Sequence, residues 1–356
     1  MDYTSRKAVI FGCQGFSLTD TEREFFTQTR PLGFILFDRN IRDPHQIKQL
    51  VKDLKVCVGD NNAPVLVDQE GGRVHRLWEP FFNTLPWGEH YGNLYGAKYS
   101  NEMGVRQGPD AAQEELAKYT RIMAQDLSSV GINTNCWPCL DVARPETDIV
   151  LKKRCFSLDV TAVTDLGQTG VAAALKNGIM PVIKHFPGYG RTTVDPHAKL
   201  PVINESLDVL KETDFAPFMA IKEPVWGMTA HIIVRALDDQ LPITLSPKGI
   251  AYIRGEMGFD GFLIPDDISM GALKSFGKIT DIEGRTIEIK NDGVKSGAAH
   301  LADVSVQLLN AGCDAVLHCN GCMDEMRAIA AAIPAMSAVS IKRLKTGQAA
   351  LMDKGN

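Results

Sequence analysis

The 356-residue sequence lacks an excess of charge of either sign and lacks a long apolar run. Its 38 basic residues nearly balance its 43 acidic residues without forming a basic stripe, which argues against nucleic acid as a partner. No run of about 18 apolar residues occurs, so we expect no transmembrane helix. The N-terminus has no signal-peptide pattern, and we therefore expect a cytoplasmic protein.

The eight cysteines include two Cys-x-x-Cys pairs, whose placement argues against a metal or redox role. Cys136 and Cys139 are far in sequence from Cys319 and Cys322, whereas structural zinc pairs usually lie within tens of residues. The first pair also lies in an apolar, strand-like stretch, away from any helix start that would lower a thiol pKa. We predict reduced, mostly buried thiols, no metal and no other cofactor.

Short apolar runs alternate with stretches of helical periodicity along the whole chain. The runs predict eight strands, at 8–11, 33–37, 64–67, 132–142, 180–185, 227–234, 261–264 and 315–318. The periodic stretches predict helices at 19–28, 43–58, 113–130, 161–177, 207–222, 246–257, 300–311 and 323–332. This alternation is typical of parallel strands joined by crossover helices, and eight such units close a barrel. We predict an α/β fold, a (β/α)8 barrel forming a single domain over residues 1–356.

Local signals agree with these helices. Thr19 and Asp43 lie at N-cap positions, Pro44 lies at a first helical position, and several helices are followed by glycine, namely Gly131, Gly178, Gly258 and Gly312. The aperiodic stretches 87–110 and 274–296 are expected to be long surface connections. An open doubly wound sheet is the alternative, but the turn 12–15 is neither Gly-x-Gly-x-x-Gly nor a phosphate-binding loop.

Charged residues follow the predicted strands, at the end of a barrel where catalytic residues lie. They include Asp68, Asp141, the Lys184-His185 pair and the Asp266-Asp267 pair. Carboxylates suit hydroxyl recognition and attack on an acetal carbon, and Arg and Lys suit oxygen-rich ligands. A metallohydrolase is disfavoured because no His-x-His occurs among the eight histidines.

The loop after the fifth predicted strand contains Asp195 two residues before His197. Residues i and i+2 of an extended segment point the same way, so the carboxylate can hold one imidazole nitrogen and raise the histidine pKa. This arrangement predicts an acid/base catalyst, although a lone Asp-x-His is also compatible with an ordinary polar turn.

Three motifs resemble glycoside hydrolase family 3, in particular its single-domain β-N-acetylglucosaminidases of bacterial peptidoglycan recycling. They are Asp68-Gln69-Glu70-Gly71-Gly72-Arg73-Val74, the loop from Lys184-His185-Phe186-Pro187-Gly188 to Asp195-x-His197, and Asp266-Asp267-Ile268-Ser269-Met270. The segment 33–40 and the Arg154-x-Phe156-Ser157 motif fit the same pattern, so the resemblance covers nearly the whole chain.

The resemblance implies a retaining exo-hydrolase that releases terminal β-linked N-acetylglucosamine, from muropeptide fragments, through a covalent glycosyl-enzyme. Asp266 is implied as the nucleophile and His197, oriented by Asp195, as the acid and then the base. The implied sugar-binding residues are Asp68, Arg76, Arg154, Lys184 and His185. The choice of Asp266 over Asp267 comes from the family pattern, since reasoning from the residues alone leaves both open.

Three positions depart from the family pattern: Tyr189 replaces the usual histidine, and Pro196 and Pro265 each replace serine or threonine. These changes put rate and loop motion in question more than the type of reaction. Two other functions stay open. One is phosphorolysis, since a neutral histidine does not repel an incoming phosphate, and the other is sugar binding without catalysis.

Overall fold

The computed structural model describes residues 2–96, 107–193, 200–274, 278–280, 286–288 and 297–354. Its central sheet consists of eight parallel strands: β1 (Lys7–Gly12), β2 (Pro31–Leu36), β3 (Val65–Val67), β4 (Thr134–Asn135), β5 (Met180–Phe186), β6 (Trp226–Thr229), β7 (Phe262–Pro265) and β8 (Val316–His318). Their order in the sheet is β8-β1-β2-β3-β4-β5-β6-β7.

The two edge strands of this sheet, β7 and β8, lie side by side and close it. The amide of Asp314 donates to the carbonyl of Leu263 at 2.7 Å, and the amide of Ile268 donates to the carbonyl of Leu317 at 3.1 Å. Every residue of β2 and of β5 is buried, as expected for strands covered on both faces. The predicted (β/α)8 barrel is confirmed, and its assignment to a single domain stays a prediction.

Helices pack around the strands. Those of eight or more residues are α1 (Asp20–Thr29), α2 (Pro44–Val58), α3 (Gly88–Gly96), α4 (Pro109–Ser129), α6 (Val160–Lys176), α9 (Pro247–Gly255), α11 (Ala298–Ala311), α12 (Met323–Ala332) and α13 (Ala338–Lys354). The short ones are α5 (Ile149–Arg154), α7 (Leu207–Glu212), α8 (Ala216–Ala220) and α10 (Gly271–Lys274). Among the described residues, no helix is both long and apolar enough to cross a bilayer.

The predicted helix ends are confirmed where local chemistry fixes them. Thr19 forms a capping box with Glu22, and Asp43 caps α2 through the amide of Gln46, with Pro44 in the first turn. The four predicted glycines all have positive φ angles, the conformation that ends a helix without a Cβ clash; they are Gly131, Gly178, Gly258 and Gly312.

Two predicted strands are too long. Only Thr134–Asn135 of the stretch 132–142 joins the barrel ladder, although Cys139 also bridges to Lys184. The stretch 227–234 divides, because Ile233–Val234 leaves the barrel and pairs with Val202–Ile203 in a small separate sheet. An apolar run predicts burial and extension, but it does not distinguish a barrel strand from a buried connection.

Four further features also differ from the prediction. The stretch 207–222 forms two helices, α7 and α8, which are separated around the buried Asp214. The connection 87–110 contains α3, and within 274–296 the described pieces Lys278–Thr280 and Thr286–Glu288 pair in antiparallel fashion. The C-terminal helix α13 was not predicted; Leu344, on this helix, is almost completely buried.

The cysteines are free thiols, as predicted. Seven of the eight are buried, and Cys322 is exposed. Cys136 and Cys139 lie in the core at the fourth strand, where burial raises the pKa of both thiols well above the ordinary value. A thiol in this state is a poor nucleophile, which agrees with a packing role for this pair.

Candidate active site

A cavity of about 450 Å³ opens at the C-terminal ends of the barrel strands. All six of the predicted site residues that the structure describes line it: Asp68, Arg76, Arg154, Lys184, His185 and Asp266. The other two, Asp195 and His197, lie outside the described residues, as does Pro196. The structure thus brings together side chains from the ends of β3, β5 and β7 and from α5.

Glu70 is the centre of the polar network on one side of the cavity. Its carboxylate forms a bidentate pair with the Arg154 guanidinium at 2.8 and 2.9 Å and accepts from Lys184 Nζ at 2.6 Å. Lys184 Nζ also donates to Asp68 Oδ1 at 2.8 Å. Burial opposes ionisation of Glu70, but the Arg154 and Lys184 charges outweigh it and hold the pKa of this carboxyl far below its usual range.

These contacts fix the orientation of the cationic groups. A guanidinium and an ammonium held on one buried carboxylate have little rotational freedom, so Lys184 and Arg154 are presented to the cavity in a single arrangement. Arg76 is held less firmly: its guanidinium donates to the exposed Asp38 at 3.0 Å and lies 4.0 Å from Asp68. The sequence motif 68–74 contains Glu70 but does not indicate its role; the signal it offers is a second carboxylate two residues after Asp68.

His185 is held by Asp141, a buried carboxylate on the connection that follows β4. Its Nδ1 lies 2.7 Å from Asp141 Oδ2, and Asp141 also accepts from the amide of Tyr189 at 2.7 Å and from Cys139 Sγ at 3.2 Å. Burial lowers the pKa of His185, but the Asp141 charge has a larger opposite effect, and the resulting pKa is about 9. The protonated ring directs an Nε2–H toward a ligand, while the 3.4 Å contact from Arg154 to Nε2 is a hydrogen bond only when that nitrogen is unprotonated.

Because His185 is paired with Asp141, we expect the His185 imidazole to titrate near pH 9. Asp141→Asn removes the opposing charge and leaves burial, so the pKa of His185 should fall to its ordinary value of about 6.5 or below. Because the folded pKa is raised, the stabilising effect of the pair is complete below about pH 6.5 and is lost as the pH rises through 9. Imidazole ¹⁵N NMR of both proteins would measure this, with the exposed His90 as an internal control; an unchanged His185 midpoint would contradict it.

The two adjacent carboxylates after β7 have different surroundings. Asp266 is partly exposed to the cavity, and among the described residues its carboxylate accepts a hydrogen bond from the amide of Asp267 at 2.8 Å. Asp267 is occupied at both oxygens, by the amide and hydroxyl of Ser269 at 3.1 and 2.6 Å and by the amide of Cys319 at 3.3 Å. Among the described residues, Asp266 therefore has a carboxylate oxygen without a hydrogen-bond partner, whereas both oxygens of Asp267 have one.

Asp266 is ionised. Burial opposes its ionisation, but the charges of His185 and His231, the amide of Asp267 and the charge of Lys184 outweigh this effect, and its pKa lies below the ordinary value. His231 lies behind the loop, with Nε2 3.0 Å from the carbonyl of Asp267. Although Pro265 has no N–H, the amide of Asp266 donates to the Thr229 carbonyl at 3.0 Å, so the strand end stays attached to β6.

One group of described residues has ligand atoms close enough together for an ion. Cys139, Asp141 and His185 are buried and place one ligand atom each within 4.8 Å of the others. In the structure these atoms are joined by the hydrogen bonds that orient His185. The arrangement is explained by that role, and the absence of a metal cofactor stays a prediction.

The fold and the cavity define a class of protein. The cavity combines ionised carboxylates with fixed cationic donors at the catalytic end of a (β/α)8 barrel, which suits an enzyme acting on a hydroxyl-rich ligand. Residues 11–351 match the family model described as the N-terminal domain of glycosyl hydrolase family 3. The chain belongs to this family and is a glycoside hydrolase.

Similar proteins cover nearly the whole chain. A β-hexosaminidase of Thioalkalivibrio sulfidiphilus is 31% identical over 340 residues, which are 94% of this chain and 87% of that protein. A β-hexosaminidase of Alkalilimnicola ehrlichii is 31% identical over 319 residues, covering 88% and 80%. The crystal structure of NagZ from Neisseria gonorrhoeae in complex with N-trifluoroacetyl-D-glucosamine superposes with a TM-score of 0.78 at 26% identity and covers 99% and 94%. The expected family is confirmed.

Proposed function

We propose that the chain is an exo-acting, retaining β-N-acetylglucosaminidase that removes terminal β-linked N-acetylglucosamine from muropeptide fragments. The observation that supports it best is the ionised Asp266, which faces a cavity whose other walls hold fixed hydroxyl-binding groups. The names of the similar proteins, β-hexosaminidases and a NagZ bound to a glucosamine derivative, support the same sugar.

In the first step, an Asp266 oxygen attacks the anomeric carbon and forms an ester bond as the glycosidic C–O bond breaks. His197, oriented by Asp195, gives its proton to the departing oxygen. In the second step His197 takes a proton from water, and the resulting hydroxide oxygen displaces Asp266 from the anomeric carbon. Two inversions return the sugar with its original β configuration.

The cavity network supplies binding and orientation of the sugar. Asp68 and Lys184 offer an acceptor and a donor to vicinal hydroxyl groups, and Arg154 and Arg76 offer further donors. His185 adds an Nε2–H below its pKa of about 9. Because Glu70 and Asp141 hold these groups before the sugar binds, binding costs little side-chain conformational entropy.

The reaction can be followed by ¹H NMR on an aryl β-N-acetylglucosaminide, with and without phosphate. We expect β-N-acetylglucosamine as the first product in both cases, mutarotating later to the mixture of anomers. The α anomer as the first product would exclude the retaining mechanism. An N-acetylglucosamine 1-phosphate that forms only with phosphate would identify a phosphorylase, and binding without turnover would identify a sugar-binding protein.

The natural leaving group is tested by competition between substrates. We expect a larger kcat/KM for an N-acetylglucosaminyl-anhydromuropeptide than for N,N′-diacetylchitobiose at equal concentration, because the first contains the proposed aglycone. The reverse order would leave the glycosidase mechanism intact and remove the muropeptide assignment.

A further inference from the structure

His231 is a buried histidine beside the turn that carries Asp266, and the proposed reaction does not use it. It lies two residues after the end of β6, and its side chain is almost completely buried. Its Nε2 lies 3.0 Å from the carbonyl oxygen of Asp267, and its Nδ1 lies 2.9 Å from the Thr244 hydroxyl. Both ring nitrogens therefore have a partner, and the ring connects the residue after Asp266 to the interior of the barrel.

The two partners of His231 fix which ring nitrogen carries the proton. A carbonyl oxygen can only accept, so Nε2 is the donor to Asp267. Burial lowers the pKa of His231, so the ring is neutral at neutral pH, and Nδ1 then accepts the hydroxyl proton of Thr244. The Thr244 oxygen lies 2.9 Å from the Thr229 hydroxyl, which can donate to it. These hydrogen bonds form one ordered chain that ends on the Asp267 carbonyl.

The main chain is held at the proposed nucleophile and at the residue after it. The amide of Asp266 donates to the Thr229 carbonyl at 3.0 Å, and the carbonyl of Asp267 accepts from His231. Between these two anchors, the amide of Asp267 donates to the Asp266 carboxylate at 2.8 Å. Because the direction of this amide follows from the torsion angles of the anchored segment, the two anchors together orient the carboxylate that faces the cavity.

We infer that His231 is a positioning residue for Asp266, acting through the main chain of Asp267 by means of its Nε2–H. The inference rests on the proposed function, in which Asp266 attacks the anomeric carbon. Attack requires the reacting atoms to lie about 3–3.5 Å apart, and a misplacement of about 1 Å can cost about 100-fold in rate. His231 does not line the cavity, so it is not expected to contact the sugar.

The test variant is His231→Phe, which keeps a ring at this position and removes the donor. Thr244 loses Nδ1 as a partner but retains the Ala230 carbonyl at 3.1 Å, so its hydroxyl is not left unpaired. We expect kcat for an aryl β-N-acetylglucosaminide to fall about 10-fold or more. The inhibition constant of N-acetylglucosamine should change little, because the sugar-binding groups are not altered. Labelling of Asp266 by a fluorinated substrate with an activated leaving group should slow by about the same factor as kcat, because it forms the same ester bond.

Two further variants separate the donor from the space that the ring fills. His231→Gln places an amide N–H near the position of Nε2 and should restore part of the kcat that His231→Phe loses. Thr244→Val removes the hydroxyl that donates to Nδ1, so the ring can adopt the other tautomer, in which Nε2 carries no hydrogen. We expect a smaller loss of kcat for this variant, again with little change in sugar affinity. Thr244→Val tests the inference even if His231→Phe does not fold.

The matched control is His300→Phe. His300 is also buried, and its Nε2 lies 3.0 Å from the carbonyl of Leu273, so this substitution removes the same kind of hydrogen bond. Neither His300 nor Leu273 lines the cavity, and kcat should stay near that of the wild type. Equal losses of kcat for His231→Phe and His300→Phe, or a His231→Gln protein no more active than His231→Phe, would overturn the positioning role.

The outcomes separate the inference from the function on which it rests. If Asp266→Asn keeps the wild-type kcat, Asp266 is not the nucleophile, and both the proposed mechanism and the inference fall. If Asp266→Asn is inactive but neither His231→Phe nor Thr244→Val lowers kcat, only the inference falls. An inactive Asp266→Asn together with the expected losses at His231 and Thr244 supports both.

Discussion

Asp266→Asn is expected to reduce kcat for an aryl β-N-acetylglucosaminide by about 10³-fold or more, as removal of a nucleophile typically does. The amide keeps the shape of the side chain but has no charge and is too weak a nucleophile to form the glycosyl ester. A fluorinated substrate with an activated leaving group should label the wild-type protein, and mass spectrometry should place the added mass on the peptide that contains Asp266.

Asp267→Asn is the matched control for this prediction. Asp267 also lines the cavity, but both of its oxygens accept hydrogen bonds from Ser269 and Cys319, so the variant mainly loses hydrogen-bond strength at the loop. We expect a much smaller loss of kcat than for Asp266→Asn. A label on Asp267, or comparable losses in the two variants, would contradict the assignment of Asp266.

Glu70→Gln is expected to weaken both the fold and the site. The variant leaves the buried Lys184 and the partly buried Arg154 with less opposing charge, and breaking a buried ion pair in this way costs about 3–5 kcal/mol. Urea denaturation should measure this loss in the free energy of unfolding. KM should rise in addition, because the two cations are no longer held in one orientation.

The pH dependence of this loss follows from the pKa of Glu70, which is depressed in the folded protein. The difference in stability between wild type and variant should be complete above the unfolded pKa of about 4.3 and should shrink as the pH falls below it. Glu146→Gln is the control, since Glu146 is exposed and its removal should leave stability within about 0.5 kcal/mol. A Glu70→Gln protein as stable as wild type would contradict the central role of this carboxylate.

Local signals in the sequence were reliable where the structure is also local. The caps at Thr19 and Asp43 involve amides three residues away, so their chemistry can be read without knowing the fold. The stretch 132–142 failed for the opposite reason. Its apolar residues are buried, but which of them join the ladder depends on the positions of β3 and β5.

The sequence left two features of the site open. Asp266 and Asp267 are adjacent and chemically identical. They differ in their hydrogen-bond partners, because Ser269 and Cys319, the residue after β8, both donate to Asp267. The ion pair between Arg191 and the buried Asp214 was not predicted either, because Asp214 lies within residues 207–222, for which the sequence predicts one continuous helix.

The sequence by itself determined the barrel and six of the polar residues that line its cavity. Alternating strands and helices restrict the fold to few choices, and parallel strands bring their C-terminal ends to one face. Only the tertiary structure decided which charges pair. Glu70 is more than 80 residues away in sequence from both Arg154 and Lys184. The three side chains meet only because the closed barrel brings the connections that carry them around one cavity. Their mutual contacts, rather than their identities, fix the orientation of the groups that face the sugar.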